Sequence, residues 1–142
     1  PKQSGAALKT EDGWIICYDE HEPLERIRFT VCHELGHILL GHPLKEGTVQ
    51  RTRTIDKDRP KVESEADMFA ARVLAPACVI WALNLHTAQE ISDLCQISLQ
   101  AAQYRAERME LLYKRNMFLS HPLERRVYEQ FQDFINEKKA RQ

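Results

Sequence analysis

The chain carries almost no net charge: 20 lysines and arginines stand against 21 aspartates and glutamates, a formal −1 over 142 residues. Proteins that hold polyanions by bulk electrostatics need a surplus of one sign, so that class is set aside, while a local basic patch remains allowed. Paired cysteines are missing too. Cys17, Cys32, Cys78 and Cys95 form no C-x-x-C and no regular framework, which points to reduced thiols buried as small apolar groups in a cytoplasmic protein. No apolar run reaches the length of a membrane span, and no signal peptide is visible in a sequence that starts at Pro1 without a methionine. Repeats and low-complexity tracts are absent. What is left is globular composition, 43% hydrophobic and 29% charged, in a chain long enough to bury a core as a single domain, 1–142.

Local patterns give the expected elements. Residues 6–20 read as a β-hairpin, with Asp12-Gly13 as the turn and Trp14 to Tyr18 as the better strand. Pro23 opens a helix from Leu24 to Leu40, and Gly41 stands where a C-terminal cap belongs. A polar connection at 43–62 holds six Lys or Arg against three acids. It is read as a solvated loop, with a mobile lid or substrate-recognition segment as the alternative. A second helix is expected from Glu63 to Ala75, and another after Pro76. "TAQE" at 87–90 is a capping box that starts a short helix through Cys95. Ser98 caps a longer helix to Arg115. A final helix would bury Leu123, Val127, Phe131 and Phe134. The fold class is therefore α+β, mostly helical, with a small antiparallel sheet packed on the first helix. Within that single domain, residues 1–85 are expected to form the core that carries the chemistry derived below, and 86–142 a helical C-terminal part.

The first helix holds the chemistry. In "RIRFTVCHELGHILLGH", residues 26–42, His33, Glu34 and His37 sit among Ile27, Phe29, Val31, Leu35, Ile38, Leu39 and Leu40. Burying three polar groups there costs roughly 1–3 kcal/mol for each one left without a partner. Histidines four apart share one helix face, so both imidazoles can reach one zinc ion at bond lengths of about 2.0–2.1 Å. Glu34 is rotated by about 100° from His33, which puts its carboxylate beside the metal as a general base. Cys32 turns away and reads as a buried apolar residue. His42, beyond Gly41, is given a structural or surface role.

A catalytic zinc site needs a third protein ligand and an open position. "ESEADMFAARVLAP" at 63–76 offers it. Glu63 and Asp67 fall on one side of that helix, beside a stripe of Ala66, Ala70, Val73 and Leu74, whereas Glu65 points towards Arg72 and solvent. Glu63 is therefore the expected third ligand, and Asp67 the acceptor that fixes the tautomer of a liganding histidine. Glu65 as the ligand is the alternative.

These two segments resemble the ImmA/IrrE family of bacterial metallopeptidases, of gluzincin type. The family pattern is R-F-T-x-x-H-E-L-G-H followed by E-x-E-A-[ND]-x-F-A-x-x-L-[LM]-x-P, and the likeness is close over residues 26–76. Val31-Cys32 and Ala75 depart from the commoner residues without touching a proposed ligand. The resemblance implies a zincin-like, zinc-dependent endopeptidase of the cytoplasm whose protein substrate is a transcriptional repressor of a mobile element or stress response.

Two rivals stand beside it. Residues 87–112 read as two helices around a short turn at Gln96-Ile97, the form of a helix-turn-helix. Nucleic-acid binding is disfavoured by charge, because residues 86–142 hold nine Lys or Arg against eight acids; a structural or protein-docking role is preferred. The other rival is a binding protein with a structural or vestigial metal site, in which Glu34 would be dispensable. For an oxyanion donor, Tyr104, His86, Arg105 and His121 are the available residues, and each also has a structural reading. Trp14 to Tyr18 could take an added substrate strand or simply pack as a sheet strand.

Overall fold

The computed structural model describes residues 4–44 and 59–142. Strand β1 (Gly5–Thr10) pairs antiparallel with β2 (Gly13–Tyr18), from Gly5 opposite Tyr18 to Thr10 opposite Gly13. The connecting loop is Glu11-Asp12, one residue earlier than the expected Asp12-Gly13 turn. Gly13 instead opens β2 at a φ of 134°, which side chains on an L-residue rarely permit. The better-buried strand is β1, whose Ala6, Ala7 and Leu8 lie in the core, while β2 exposes Trp14, Ile15 and Tyr18. Small residues explain the inversion. A Cβ on Gly5 would collide with Thr30 Cγ2 and lie 2.9 Å from the Cys17 carbonyl oxygen, so the missing side chain sets how closely β1 approaches the next helix.

That helix, α1 (Leu24–Leu39), starts after Pro23, whose fixed φ suits a helix entrance. Its C-terminus is a Schellman turn: Gly41, at φ 71°, donates its N–H to the Ile38 carbonyl at 3.2 Å, and His42 N–H reaches the His37 carbonyl at 3.0 Å. The buried residues of α1 are Thr30, Glu34, Gly36 and His37, whereas Leu39 and Leu40 are exposed. Helix α2 (Arg59–Leu74) begins four residues before the expected Glu63. Ala66 and Ala70 are fully buried, and Val73, expected in the same stripe, is half exposed. Of the polar connection expected at 43–62, residues 45–58 lie outside the described residues, so its reading as loop or lid rests on sequence.

The chain divides into two compact units, Pro1–Leu74 and Ala75–Gln142. The second is all helix: α3 (Ala77–Ala82), α4 (Ala88–Cys95), α5 (Leu99–Arg115), α6 (Pro122–Gln130) and α7 (Gln132–Ala140). The Thr87–Glu90 capping box forms with both of its hydrogen bonds, and Ser98 Oγ accepts from Ala101 N–H. Between α4 and α5 the chain turns through Gln96 in the left-handed region, φ 53°, with Ile91 and Ile97 buried in the angle. Trp81 stacks on Phe118, ring centroids 5.1 Å apart, and the Tyr113 hydroxyl donates to the Leu85 carbonyl at 2.9 Å.

The expected single final helix is broken. Phe131, at φ −100° and ψ 10°, ends α6 and precedes α7. The break shifts the phase of the apolar stripe, so Ile135 is fully buried while Leu123 is 62% exposed and Phe134 lies at the surface. Among the described residues the architecture is thus mostly helical α+β, seven helices and one two-stranded antiparallel sheet. No described helix is long and apolar enough to cross a membrane.

Candidate metal centre

Successive residues of α1 differ by about 100° around its axis, and the helix uses this to serve two neighbours. Thr30 and Glu34, one turn apart, face the hairpin; Glu34 Cγ lies 3.6 Å from where a Cβ on Gly5 would stand. His33 and His37 face α2. The two helices come close because Gly36 has no side chain: a Cβ there would meet three atoms of Phe69 at 3.0–3.1 Å.

On the α2 side three side chains converge. His33 Nε2 and His37 Nε2 are 3.0 Å apart. Glu63 sets Oε2 3.0 Å from His33 Nε2 and Oε1 3.2 Å from His37 Nε2. Tetrahedral ligands at zinc bond lengths of about 2.0–2.2 Å stand about 3.3–3.6 Å from one another, a few tenths of an ångström more than these separations. The donor set, two imidazoles and one carboxylate, fits. His33, His37 and Glu63 could hold a metal ion.

Asp67 lies one turn beyond Glu63, with Oδ1 2.7 Å from His33 Nδ1. Burial alone would lower the His33 pKa, but the hydrogen bonds to Asp67 and Glu63 outweigh it and raise the value to about 9. Hydrogen bonds from His33 and then His37 hold the Glu63 carboxyl far below the usual range, against the opposing effect of burial. The position of His33 Nε2 therefore stabilises positive charge, whether a proton or a metal cation carries it.

Two residues make contacts that a helical wheel does not show. His42, read from sequence as structural or surface, has its Nδ1 2.8 Å from His37 Nδ1. Glu65, which the wheel turns towards Arg72 and solvent, has its Oε2 3.1 Å from His42 Nε2, with the side chain 41% exposed. The cause is the Schellman turn, which folds residue 42 back over the last turn of α1 and within reach of α2. Gly41 signals that turn in the sequence, and the turn pairs its second following residue with the third from the helix end, here His42 with His37.

The other singled-out residues have local surroundings of their own. Cys32 is half-buried, and burial pushes its thiol pKa up against the lowering effect of Arg28, the opposite of what a reactive thiolate needs. Arg105 is buried and its Nε donates to the Ala75 carbonyl at 2.9 Å. His86 stacks on Tyr113, His121 Nδ1 accepts from Leu123 N–H as the α6 cap, and Tyr104 is 67% exposed.

The sequence matches the peptidase family described as the IrrE N-terminal-like domain over residues 1–107. The chain belongs to that family. The ImmA/IrrE match spans the whole first unit and extends into α5 of the second. It makes the chain a peptidase of ImmA/IrrE type, with a protein as its substrate class. No match was found among curated proteins or among solved structures.

Proposed function

We propose that the chain is a zinc-dependent endopeptidase in which His33, His37 and Glu63 bind the metal and Glu34 is the catalytic acid/base. The convergence of two imidazole nitrogens and a carboxylate within 3.0–3.2 Å of one another carries this reading. Zinc, when bound, supplies Lewis acidity toward a peptide carbonyl and lowers the pKa of water to about 7.

The protein's own part is positioning and proton handling. His33 and His37 are neutral ligands and Glu63 an anionic one, so a divalent cation keeps net positive charge at the reacting carbonyl. Asp67 accepts from His33 Nδ1–H, which leaves Nε2 as a lone pair. Glu34, next to His33 yet turned toward the hairpin, takes the proton of the attacking water at its carboxylate and returns it to the leaving amine. Its burial, 3% exposed, keeps bulk water from competing for that proton. Strand β2, with Trp14, Ile15 and Tyr18 exposed, is our choice for the edge that receives an extended substrate.

The substrate we assign, from the family resemblance, is a transcriptional repressor, and the working compartment is the cytoplasm. Incubating the chain with repressors encoded beside its gene, with and without chelator, tests the assignment. One defined, chelator-sensitive cut is expected; intact repressors under zinc-replete conditions would overturn it.

A further inference from the structure

We propose that His42 and Glu65 form a two-link relay that fixes the tautomer of His37, making both of them positioning residues for the metal. The proposal rests on the metal-site reading above and adds residues to it. It follows from donor and acceptor accounting along one chain of contacts.

Glu65 Oε2 and His42 Nε2 are 3.1 Å apart. An ionised carboxylate can only accept, so the His42 proton resides on Nε2. A neutral imidazole then bears a lone pair on Nδ1, and that atom faces His37 Nδ1 at 2.8 Å. When a metal cation takes the place of the proton between His37 Nε2 and Glu63, His37 must therefore donate from Nδ1, and its Nε2 keeps a lone pair for the metal. The opposite tautomer of His37 would place a proton where a ligand's lone pair is required. The alignment is also protected: the His37 side chain is 2% exposed and that of His42 8%, so water competes weakly for these bonds.

Each histidine ligand thereby has its own carboxylate. His33 reaches Asp67 directly, whereas His37, on the last turn of α1, reaches Glu65 through His42. The two glutamates of "ESE" divide the work: Glu63 faces the ligand nitrogens, and Glu65, about 200° round the helix, holds the relay. Gly41 is what makes the second link possible, because its left-handed backbone brings His42 back over His37.

The test is equilibrium zinc affinity of the full chain, read by competition with a chromophoric chelator. Glu65→Ala and His42→Ala are each expected to weaken zinc by about 10–100-fold, and the double variant to be no weaker than the worse single one. Glu65→Gln should retain most of the affinity, since its amide oxygen still accepts from His42 Nε2–H. Imidazole ¹⁵N spectra of the zinc-loaded protein should show the His37 proton on Nδ1, and its signal should broaden or shift in Glu65→Ala. Alanine at this partly exposed helix position is compatible with folding, so Glu65→Ala remains decisive if His42→Ala fails to fold. Unchanged affinity and an unchanged Nδ1 proton in Glu65→Ala, with His37→Ala still abolishing tight binding, would overturn the relay alone. Unchanged affinity in His37→Ala would instead overturn the metal-site reading beneath it.

Discussion

The two units bury different kinds of residue. In the second, the fully buried large side chains are Ile80, Ile91, Met109 and Ile135, and α4, α5 and α6 start at side chains that cap backbone N–H groups. In the first, the central helix buries Thr30, Glu34 and His37, and the buried apolar residues of the unit are mostly alanines, Ala6, Ala7, Ala66 and Ala70, with Leu8. Apolar burial contributes about 25 cal/mol per Å², so the second unit draws its stability from area. The first gives up area to keep titratable groups in place, and a cation bound there would offset what those groups lose on desolvation. Such a division predicts that chemistry and stability can be separated by mutation.

The largest effect should come from Glu34→Gln. Turnover is expected to fall by about 10²–10⁴-fold, with zinc affinity and thermal melting near those of the parent. Cleavage at the parent rate would make Glu34 dispensable and favour a vestigial site. Ile91→Ala sharpens the contrast from the other side: it should remove about 2–5 kcal/mol of stability from the second unit, measured by denaturant unfolding, while zinc titration of the first is unchanged. Chelation should act in reverse. Saturation at roughly 100–1,000 times Kd is worth about 2.7–4.1 kcal/mol, so zinc removal should speed hydrogen exchange in α1 and α2 and leave α4 and α5 as they were. Uniform acceleration across both units would erase the distinction.

The smallest effect concerns the α4 cap. Thr87→Ala should cost about 1 kcal/mol. Hydrogen bonds from the Thr87 side chain and then its backbone lower the Glu90 pKa below its ordinary 4.5. The cap's contribution is therefore full above the unfolded value and is lost as pH falls through the lower folded one. The acid limb of α4 unfolding should lose this component in Thr87→Ala, as far-UV circular dichroism can follow.

Much of this was legible in the sequence wherever a short-range rule was enough. The His33/His37 pair follows from a four-residue helical repeat. Glu63 and Asp67 follow from the same repeat on a second helix, and the structure places both against the histidines as that face requires. The caps at Thr87 and Ser98 depend on three-residue spacings, which are equally local. What escaped needed geometry beyond the helix wheel. A wheel drawn for α2 sends Glu65 outward, because it contains no other element; only the returning chain at Gly41 supplies His42 as its partner. The break at Phe131 carries no proline or glycine to announce it, and the stripe drawn through it therefore buried Leu123, which the structure exposes. The hairpin strand with the stronger apolar signal was β2, but close packing against Thr30 favours the strand with glycine and alanine.

Gly36 has a consequence for how closely α1 and α2 stand. An alanine there would force Phe69, and with it α2, to yield by a few tenths of an ångström. Glycine at 36 brings no donor atom of its own, yet it is the spacer that lets Glu63 and Asp67 on one helix come within hydrogen-bonding distance of His33 on the other.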